Sequence, residues 1–579
     1  MSAPRVVRVL PEVSGLDKTF DYLVPAPWAG TVAPGDMVRV DLHGRRIAGW
    51  VIEVDVEPPS GVELRTISKW SSVGPPADII DLARWAAHRW HGRLGTVMKT
   101  ASPERMVDAV PEGRSGPQQL AETVLDPLGE LALEALALPG VSVLRASPAS
   151  DLFGVVAAAA RTGDAIVITP DVADARYHGA RLRRAGGIIR LSGRDWALGA
   201  SGGVVIGARS TVWAPVADLA AVVVLDEHAE SLQEERNPTW HARDVAIERA
   251  RRAGVPCLLV SPCPSLAALA VADRVLTLSR SVERAGWPPI QVVDRRREDP
   301  GRSGIFSPQL ASQLHAGRAS GERVVCVLNR KGRARMLACG TCGELIKTED
   351  GEHLMAEVDD ELIAWTGERR PKVCANCGGT GLKRLRLGVD RVREELAALA
   401  QEPVGELDDD SSARIVVGTE AVLHRVPEAG LVVFLDFDQE LMAQRYRSGE
   451  QAMALLVLAA RMVGGRTGGG RVMVQTRVPE HRVLAAAVRS DPGRFAEAEA
   501  ELRRQLGWPP FSALAEVSGK GAAEAVAPLQ QRLDVAVLGP TDDGRFLVRA
   551  DDPDRLADAL DDLARTKART RVAVDPPRI

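Results

Sequence analysis

With 579 residues the chain is too long for one core, and at roughly 100–200 residues per domain three to five domains are expected. Hydrophobic residues make up 45% and charged residues 26%, a balance that excludes a disordered chain. The formal net charge is −4, so no overall basic field draws in nucleic acid, and any such binding must rest on local patches.

Residues 1–101 read as one β-rich unit. The short runs VVRVLP, FDYLVP, MVRVDL and RIAGWVIEV have strand composition, and His43-Gly44-Arg45-Arg46 reads as the hairpin turn between the last two. A helix follows over DIIDLARWAAHRWHGRLGTVMKTA, where apolar residues recur at i, i+3 and i+4. Residues 102–130 are rich in Pro, Gly and polar residues and read as a linker.

From 131 to 300 strands alternate with helices. Ala165–Ile168, Gly203–Ile206, Val222–Leu225 and Cys257–Val260 are short, continuously apolar and β-branched, as in a parallel sheet buried on both faces. A second set over 301–507, namely Val324–Leu328, Ile415–Val417, Val432–Leu435 and Val472–Gln475, predicts a second α/β lobe. An insert at about 337–384 interrupts that lobe. The tail, 508–579, reads strand-helix-strand-strand-helix-strand, the order of a ferredoxin-like α+β domain.

No run reaches the ~18 apolar residues of a transmembrane helix, and MSAPRVVRVLPEV lacks the apolar core of a signal peptide. A cytoplasmic location with no membrane partner is expected. Cysteines close in sequence are therefore read first as metal ligands. Cys339-Gly340-Thr341-Cys342-Gly343 and Cys374-Ala375-Asn376-Cys377-Gly378 are two C-x-x-C knuckles, and four thiolates from two tight turns suit one tetrahedral Zn²⁺. Cys257, Cys263 and Cys326 lie in or beside apolar strands and are expected to pack in cores.

Val222–His228 reads VVVLDEH, an apolar strand running into Asp226 and Glu227, the arrangement with which helicase-type ATPases hold Mg²⁺ and the attacking water. Its partner would be a phosphate loop, G-x-x-x-x-G-K-[ST], and no such string occurs. Counting back from Ile166–Asp171, the loop falls at Leu144–Ala149, LRASPA. That alignment puts Ser147 and Pro148 at the Lys and Thr positions. Ser147, Asp226 and Glu227 are then a vestigial nucleotide site. The alternative for VVVLDEH is a buried strand with Asp226 capping the turn after it.

Several segments in a shared order resemble the PriA family of replication restart proteins. They are Thr19-Phe20-Asp21-Tyr22-Leu23; Val38-Arg39-Val40 followed by Gly44; Ile206-Gly207-Ala208-Arg209-Ser210; and Trp240-His241-Ala242-Arg243-Asp244. Further along come Leu328-Asn329-Arg330-Lys331-Gly332, Tyr446-Arg447-Ser448-Gly449-Glu450, Trp508-Pro509-Pro510 and Val574-Asp575-Pro576. The resemblance implies a 3′-DNA-end-binding domain at 1–101, two RecA-like helicase lobes at 131–300 and 301–507 with a zinc-binding insert, and a small α+β domain at 508–579. It implies that Phe20 stacks on a terminal base and that Asp21 accepts a hydrogen bond from the 3′-OH or a base edge. It also implies that Tyr22 belongs to the same pocket, that Gly44 permits close backbone approach, and that Arg65 stands for a family lysine. Arg330, Lys331, Arg333 and Arg335 are further candidate phosphate contacts, and Arg181, Arg183 and Arg184 read as an exposed helix face.

The chain also departs from the family. Only 102–130 stands where the family has a winged helix, and four of the family's eight zinc-binding cysteines are present. The arginine-finger segment reads LAARMVGGRT at Leu458–Thr467, with the arginines out of register. The expected function is recognition of stalled forks and nascent 3′ ends, as a platform for helicase loading, without ATP hydrolysis. Branched and single-stranded DNA, single-stranded-DNA-binding protein and the replicative helicase with its loader are the implied partners. Two alternatives remain: a divergent active 3′→5′ DNA helicase, and a protein-binding scaffold whose DNA role has decayed.

Overall fold

The computed structural model describes residues 5–13, 15–57, 61–113, 116–120, 125–297, 305–329, 336–342, 346, 348, 355–358, 361–364, 368–385, 389–406, 413–443, 445–541, 543–566 and 568–577. They form two compact units, one of residues 1–283, 445–447 and 492–579, the other of residues 284–444 and 448–491.

The first unit begins with a five-stranded antiparallel sheet. Edge to edge its strands are Phe20–Leu23, Val6–Pro11, Arg45–Val54, Met37–Leu42 and Lys69–Ser72. A parallel bridge between Leu23 and Thr66 brings the two edges together, so the sheet curls into a nearly closed small barrel. Alternation along the strands sends Val7, Val9, Tyr22, Val38, Val40 and Val51 inward. The turn between Met37–Leu42 and Arg45–Val54 is only two residues long. His43 at φ 51° and Gly44 at φ 75° are both left-handed, as a type I′ turn requires, and Arg45 and Arg46 already belong to the strand.

Leu10, Trp50 and Ile52 face outward onto the helix Ala77–Arg89, which buries Ile79, Ile80, Leu82, Ala83 and Ala86. That apolar cluster runs on without a break into Trp213 and Trp240 of the next domain and Val517 and Val548 of the C-terminal domain. Residues 102–120 contain no helix or strand among those described, yet they are pinned. Val73 N–H donates to Val107 O (2.8 Å), Gln118 N–H donates to Ala160 O (2.9 Å), and Leu120 is buried.

The first α/β lobe is a seven-stranded parallel sheet in the order Arg274–Thr277, Val141–Arg145, Cys257–Ser261, Leu219–Leu225, Asp164–Ile168, Val204–Gly207 and Ile189–Leu191. Asp164–Ile168, Cys257–Ser261 and residues 221–225 are wholly buried, which is why their apolar runs are nearly unbroken. The C-terminal domain is a four-stranded antiparallel sheet in the order Val535–Leu538, Phe546–Ala550, Ala513–Ser518 and Arg571–Val574, with helices Ala522–Val526 and Pro553–Leu560 between strands. This is the ferredoxin-like order expected from the sequence.

The second unit holds a six-stranded parallel sheet in the order Ile290–Asp294, Arg471–Thr476, Leu431–Phe434, Val324–Val327, Ile415–Gly418 and Val404–Glu406. Ile290–Asp294 belongs to this sheet although the sequence reading assigned it to the first lobe. Its pairing with Arg471–Thr476 moves the lobe boundary ahead of residue 290. The insert folds as two small antiparallel sheets, Met336–Cys339 with Leu382–Leu385, and Met355–Val358, Glu361–Ala364 and Arg369–Pro371. No helix among the described residues is long and apolar enough to cross a membrane.

Candidate functional site

The metal site follows from two tight turns. Cys339 Sγ lies 3.4 Å from Cys377 Sγ and Cys342 Sγ lies 3.7 Å from Cys374 Sγ, and all four sulfurs fall within 4.8 Å of one another. None is disulfide-bonded. A tetrahedral ion with M–S bonds of ~2.3 Å sets its sulfurs about 3.8 Å apart, so the donor set fits a thiophilic divalent cation. The N–H groups of Cys342 and Thr341 hold the Cys339 thiol down, to about 6. At Cys377 the Gly379 N–H favours the thiolate, but the neighbouring Cys339 and Cys342 sulfurs push it up, to about 12. Four sulfurs this close can hold a cation between them. Gly378 takes φ 72° to close the second knuckle. A Cβ at Gly379 would lie 3.1 Å from Cys339 Sγ, 3.3 Å from Cys377 Sγ and 2.9 Å from Thr341 Oγ1. Gly379→Ala is therefore expected to weaken metal retention by about 10–100-fold, measured by competition with a chromogenic chelator.

In the N-terminal barrel Tyr22 and Arg65 both bond Asp41, while Asp21 lies on the other face of its strand, bonded to Arg8. Phe20 is half-buried with Lys18 Nζ 5.7 Å from its ring centroid. Tyr22 is buried and donates through its hydroxyl to Asp41 O (3.2 Å), and burial raises its pKa. Arg65 Nη1 donates to Asp41 Oδ1 (3.0 Å). Gly44 is exposed at the hairpin tip with open space beside it, so the turn's left-handed geometry is what calls for glycine there. Asp21 sits on the outer face, as strand alternation demands. Arg8 grips both its oxygens, Nε to Oδ1 at 2.9 Å and Nη2 to Oδ2 at 3.3 Å, and also bonds Glu53 Oε2 at 2.9 Å. Arg330, Lys331, Arg333 and Arg335 lie outside the described residues.

At the C-terminal edge of the first parallel sheet, the strand Val141–Arg145 ends and the next helix, Phe153–Thr162, begins after seven residues. In a phosphate loop the Lys and Ser/Thr stand where the helix starts. Those positions are Leu152 and Phe153, both buried and apolar, and not Ser147 and Pro148 as counted from sequence. Ser147 lies early in the loop, where its Oγ is 2.7 Å from Ser150 Oγ. The helix N-terminus, the natural seat of a phosphate, is taken by the chain's own carboxylate. Asp151 Oδ1 accepts from Phe153 N–H (3.0 Å), and Arg181 grips Asp151 with two bonds of 2.7 and 2.6 Å. Burial would raise the Asp151 pKa, but the Arg181 and Phe153 bonds outweigh it and lower it. Arg181 is thus tied to this loop and is not part of the exposed face that Arg183 and Arg184 form.

Asp226 and Glu227 follow the strand Leu219–Leu225. Asp226 is buried with φ 49°. Glu227 is fully buried and hydrogen-bonded through both oxygens. Its Oε1 accepts from Ser265 N–H (2.6 Å), and its Oε2 accepts from Ser265 Oγ (2.8 Å) and Arg243 Nη1 (3.4 Å). Arg243 Nε also bonds Asp244 Oδ1 (2.8 Å), and His241 Nδ1 accepts from Arg243 N–H at the start of the helix Ala242–Ala253. Burial drives the His241 pKa well below its ordinary value, which keeps the ring neutral. His228 Nδ1 lies 2.8 Å from Ser261 Oγ. The sequence reading flagged Asp226, Glu227 and Arg243 separately but gave no sign that Glu227 and Arg243 are partners. Cys257 and Cys326 are buried thiols pushed up to about 12 by burial, as expected of core cysteines.

The family model for the 3'DNA-binding domain (3'BD) matches residues 6–103. A probable replication restart protein PriA from Mycobacterium leprae is 30% identical over 594 residues, covering 92% of this chain and 90% of its own. The corresponding protein of Mycobacterium tuberculosis is 29% identical over 594 residues with the same coverage. The replication restart protein PriA of Bacillus subtilis is 27% identical over 379 residues, 58% of this chain and 47% of that protein. The chain belongs to the PriA family of replication restart proteins.

Proposed function

We propose that this protein recognises stalled forks and nascent 3′ ends of DNA and acts as an assembly platform for helicase loading, without hydrolysing ATP. One observation carries the reading: the 3′-end domain is kept whole while the phosphate end of the first lobe is closed by its own side chains. Asp151 fills the helix N-terminus, Leu152 and Phe153 replace the phosphate-holding pair, and Glu227 has both oxygens occupied. A water-orienting carboxylate must be reachable by water, and Glu227 is fully buried. The four cysteines hold one structural Zn²⁺. The family resemblance supplies the partners: branched and single-stranded DNA, single-stranded-DNA-binding protein, and the replicative helicase with its loader, all in the cytoplasm.

Within the barrel a terminal nucleotide straddles the edge strand Phe20–Leu23. Phe20 stacks on the base from one face, Asp21 accepts from the 3′-OH on the other, and Gly44 and Arg65 flank the sugar and phosphate. Phe20→Ala is expected to cost ~1–3 kcal/mol of binding to forks with either kind of 3′ end. Asp21→Ala is expected to lose the preference for a 3′-OH over a blocked end. The decisive experiment is a fork-binding titration with and without ATP, alongside a DNA-stimulated ATPase assay. Binding unaffected by ATP, with no turnover, is the expected result. Turnover that Asp226→Ala abolishes would sink the non-hydrolytic reading, and unchanged end discrimination would remove Asp21 from its role.

A further inference from the structure

Three of the barrel's cations pair with carboxylates: Arg5 with Asp55, Arg8 with Asp21 and Arg65 with Asp41. One row stands apart from these. Lys69 and Arg39 are direct partners across antiparallel strands, and on the other side of Arg39 stands Ala48. Residues directly opposite share a face, so two cations stand side by side with no acid in the row. Both are exposed, and neither has a carboxylate partner among the described residues. Like charges directly opposite cost stability, and a bound anion relieves that cost.

The row lies two residues along the strand from Asp41, about 7 Å at the usual rise, and Asp41 is the residue that Arg65 bonds. Arg46, directly opposite Asp41, adds a further exposed cation between the row and the hairpin tip.

We propose that Arg39 and Lys69 form a phosphate-binding row that holds the nucleic-acid backbone inward of the 3′-terminal nucleotide. This inference rests on the 3′-end reading of the domain. The row supplies affinity and direction, carries no sequence information, and plays no part in sensing the terminal hydroxyl.

The test is the salt dependence of binding to a single-stranded oligonucleotide, with 3′-OH and 3′-blocked versions, for the full chain and for the Arg39→Gln/Lys69→Gln double variant. Single strands contribute a slope of about −0.7 per neutralised phosphate in log K against log[salt], so the double variant is expected to flatten the slope by about 1.4. Its ratio of 3′-OH to blocked-end affinity is expected to stay that of the wild type. Lys69→Glu, which sets opposite charges face to face, is expected to raise the melting temperature while weakening binding. An unchanged slope in the folded double variant overturns the proposal. So does a loss confined to binding of phosphatidylserine vesicles. If the wild type shows no preference for 3′-OH ends, the 3′-end reading fails on its own account, whatever the slope does.

Discussion

Cys374→Ser is expected to lower bound zinc from one equivalent to none, measured by elemental analysis of the purified protein, and to expose the insert to trypsin. Among the described residues the insert's own core is small: Leu337, Ile346, Met355 and Leu362 are buried, together with two of the candidate ligands, Cys339 and Cys374. A core of that size cannot hold two short sheets together without a further tie. The sulfurs sit where the strand Met336–Cys339 meets the 374–379 turn, which Cys374 N–H closes onto Gly379 O at 2.9 Å. Structural zinc in small modules is worth an apparent ~10–16 kcal/mol, far beyond any hydrogen bond in the insert. Serine offers a hard, neutral oxygen where a thiolate was, so one substitution is enough. The 3′-end domain and the first lobe have their own continuous core in the other unit, and Cys374→Ser is expected to leave oligonucleotide binding by the barrel within twofold of wild type. Retention of a full equivalent of zinc, or two equivalents in the wild type, would contradict the single-site assignment.

Much of this architecture can be read from the residues themselves. Val222–Leu225 and Cys257–Val260 are continuously apolar because both faces of their strands are covered, and the two C-x-x-C knuckles announce their chemistry by spacing alone. What the sequence hides is what depends on partners far away in the chain. Arg274–Thr277 is an edge strand with alternating half-burial, too short and too polar to stand out. Ile290–Asp294 looks like a continuation of the first lobe until its pairing with Arg471–Thr476 assigns it to the second. The phosphate-loop register is hidden because loop length is set by where the helix starts, and Asp151, which accepts from Phe153 N–H there, is held from thirty residues away by Arg181. Phe20 and Asp21 are adjacent in sequence and so read as one pocket, whereas strand alternation turns them to opposite faces.

Glu227→Ala is expected to destabilise the first lobe by about 3–5 kcal/mol while changing no ATPase rate, the reverse of its effect in a working motor. The reason is where the carboxylate stands. Glu227 is fully buried, and its removal strands Arg243, itself buried, beside a Ser265 whose N–H and hydroxyl lose their acceptors. Asp244 remains as a partner of Arg243, which sets the upper bound on the loss. Burial alone would lower the Arg243 pKa, but Asp244 and Glu227 beside it raise it, so the guanidinium stays charged and cannot shed its proton to escape the cost. Burial would likewise raise the Asp244 pKa, yet the charge and hydrogen bond of Arg243 bring it down, to about 2. A carboxyl held below its unfolded value of about 3.9 contributes stability that is complete above that value and lost as pH falls from there to about 2. Thermal melts of the wild type should therefore lose stability over that acid window. Glu227→Gln, which keeps the shape and one acceptor, should lie between wild type and Glu227→Ala. A Glu227→Ala protein that melts like the wild type would mean that the Glu227–Arg243 pair holds nothing together. One that melts like the wild type and also loses a measurable ATPase activity would return Glu227 to catalysis. The geometry argues otherwise: Glu227 is a buried strut joining the strand Leu219–Leu225 to the helices Ala242–Ala253 and Leu266–Val271.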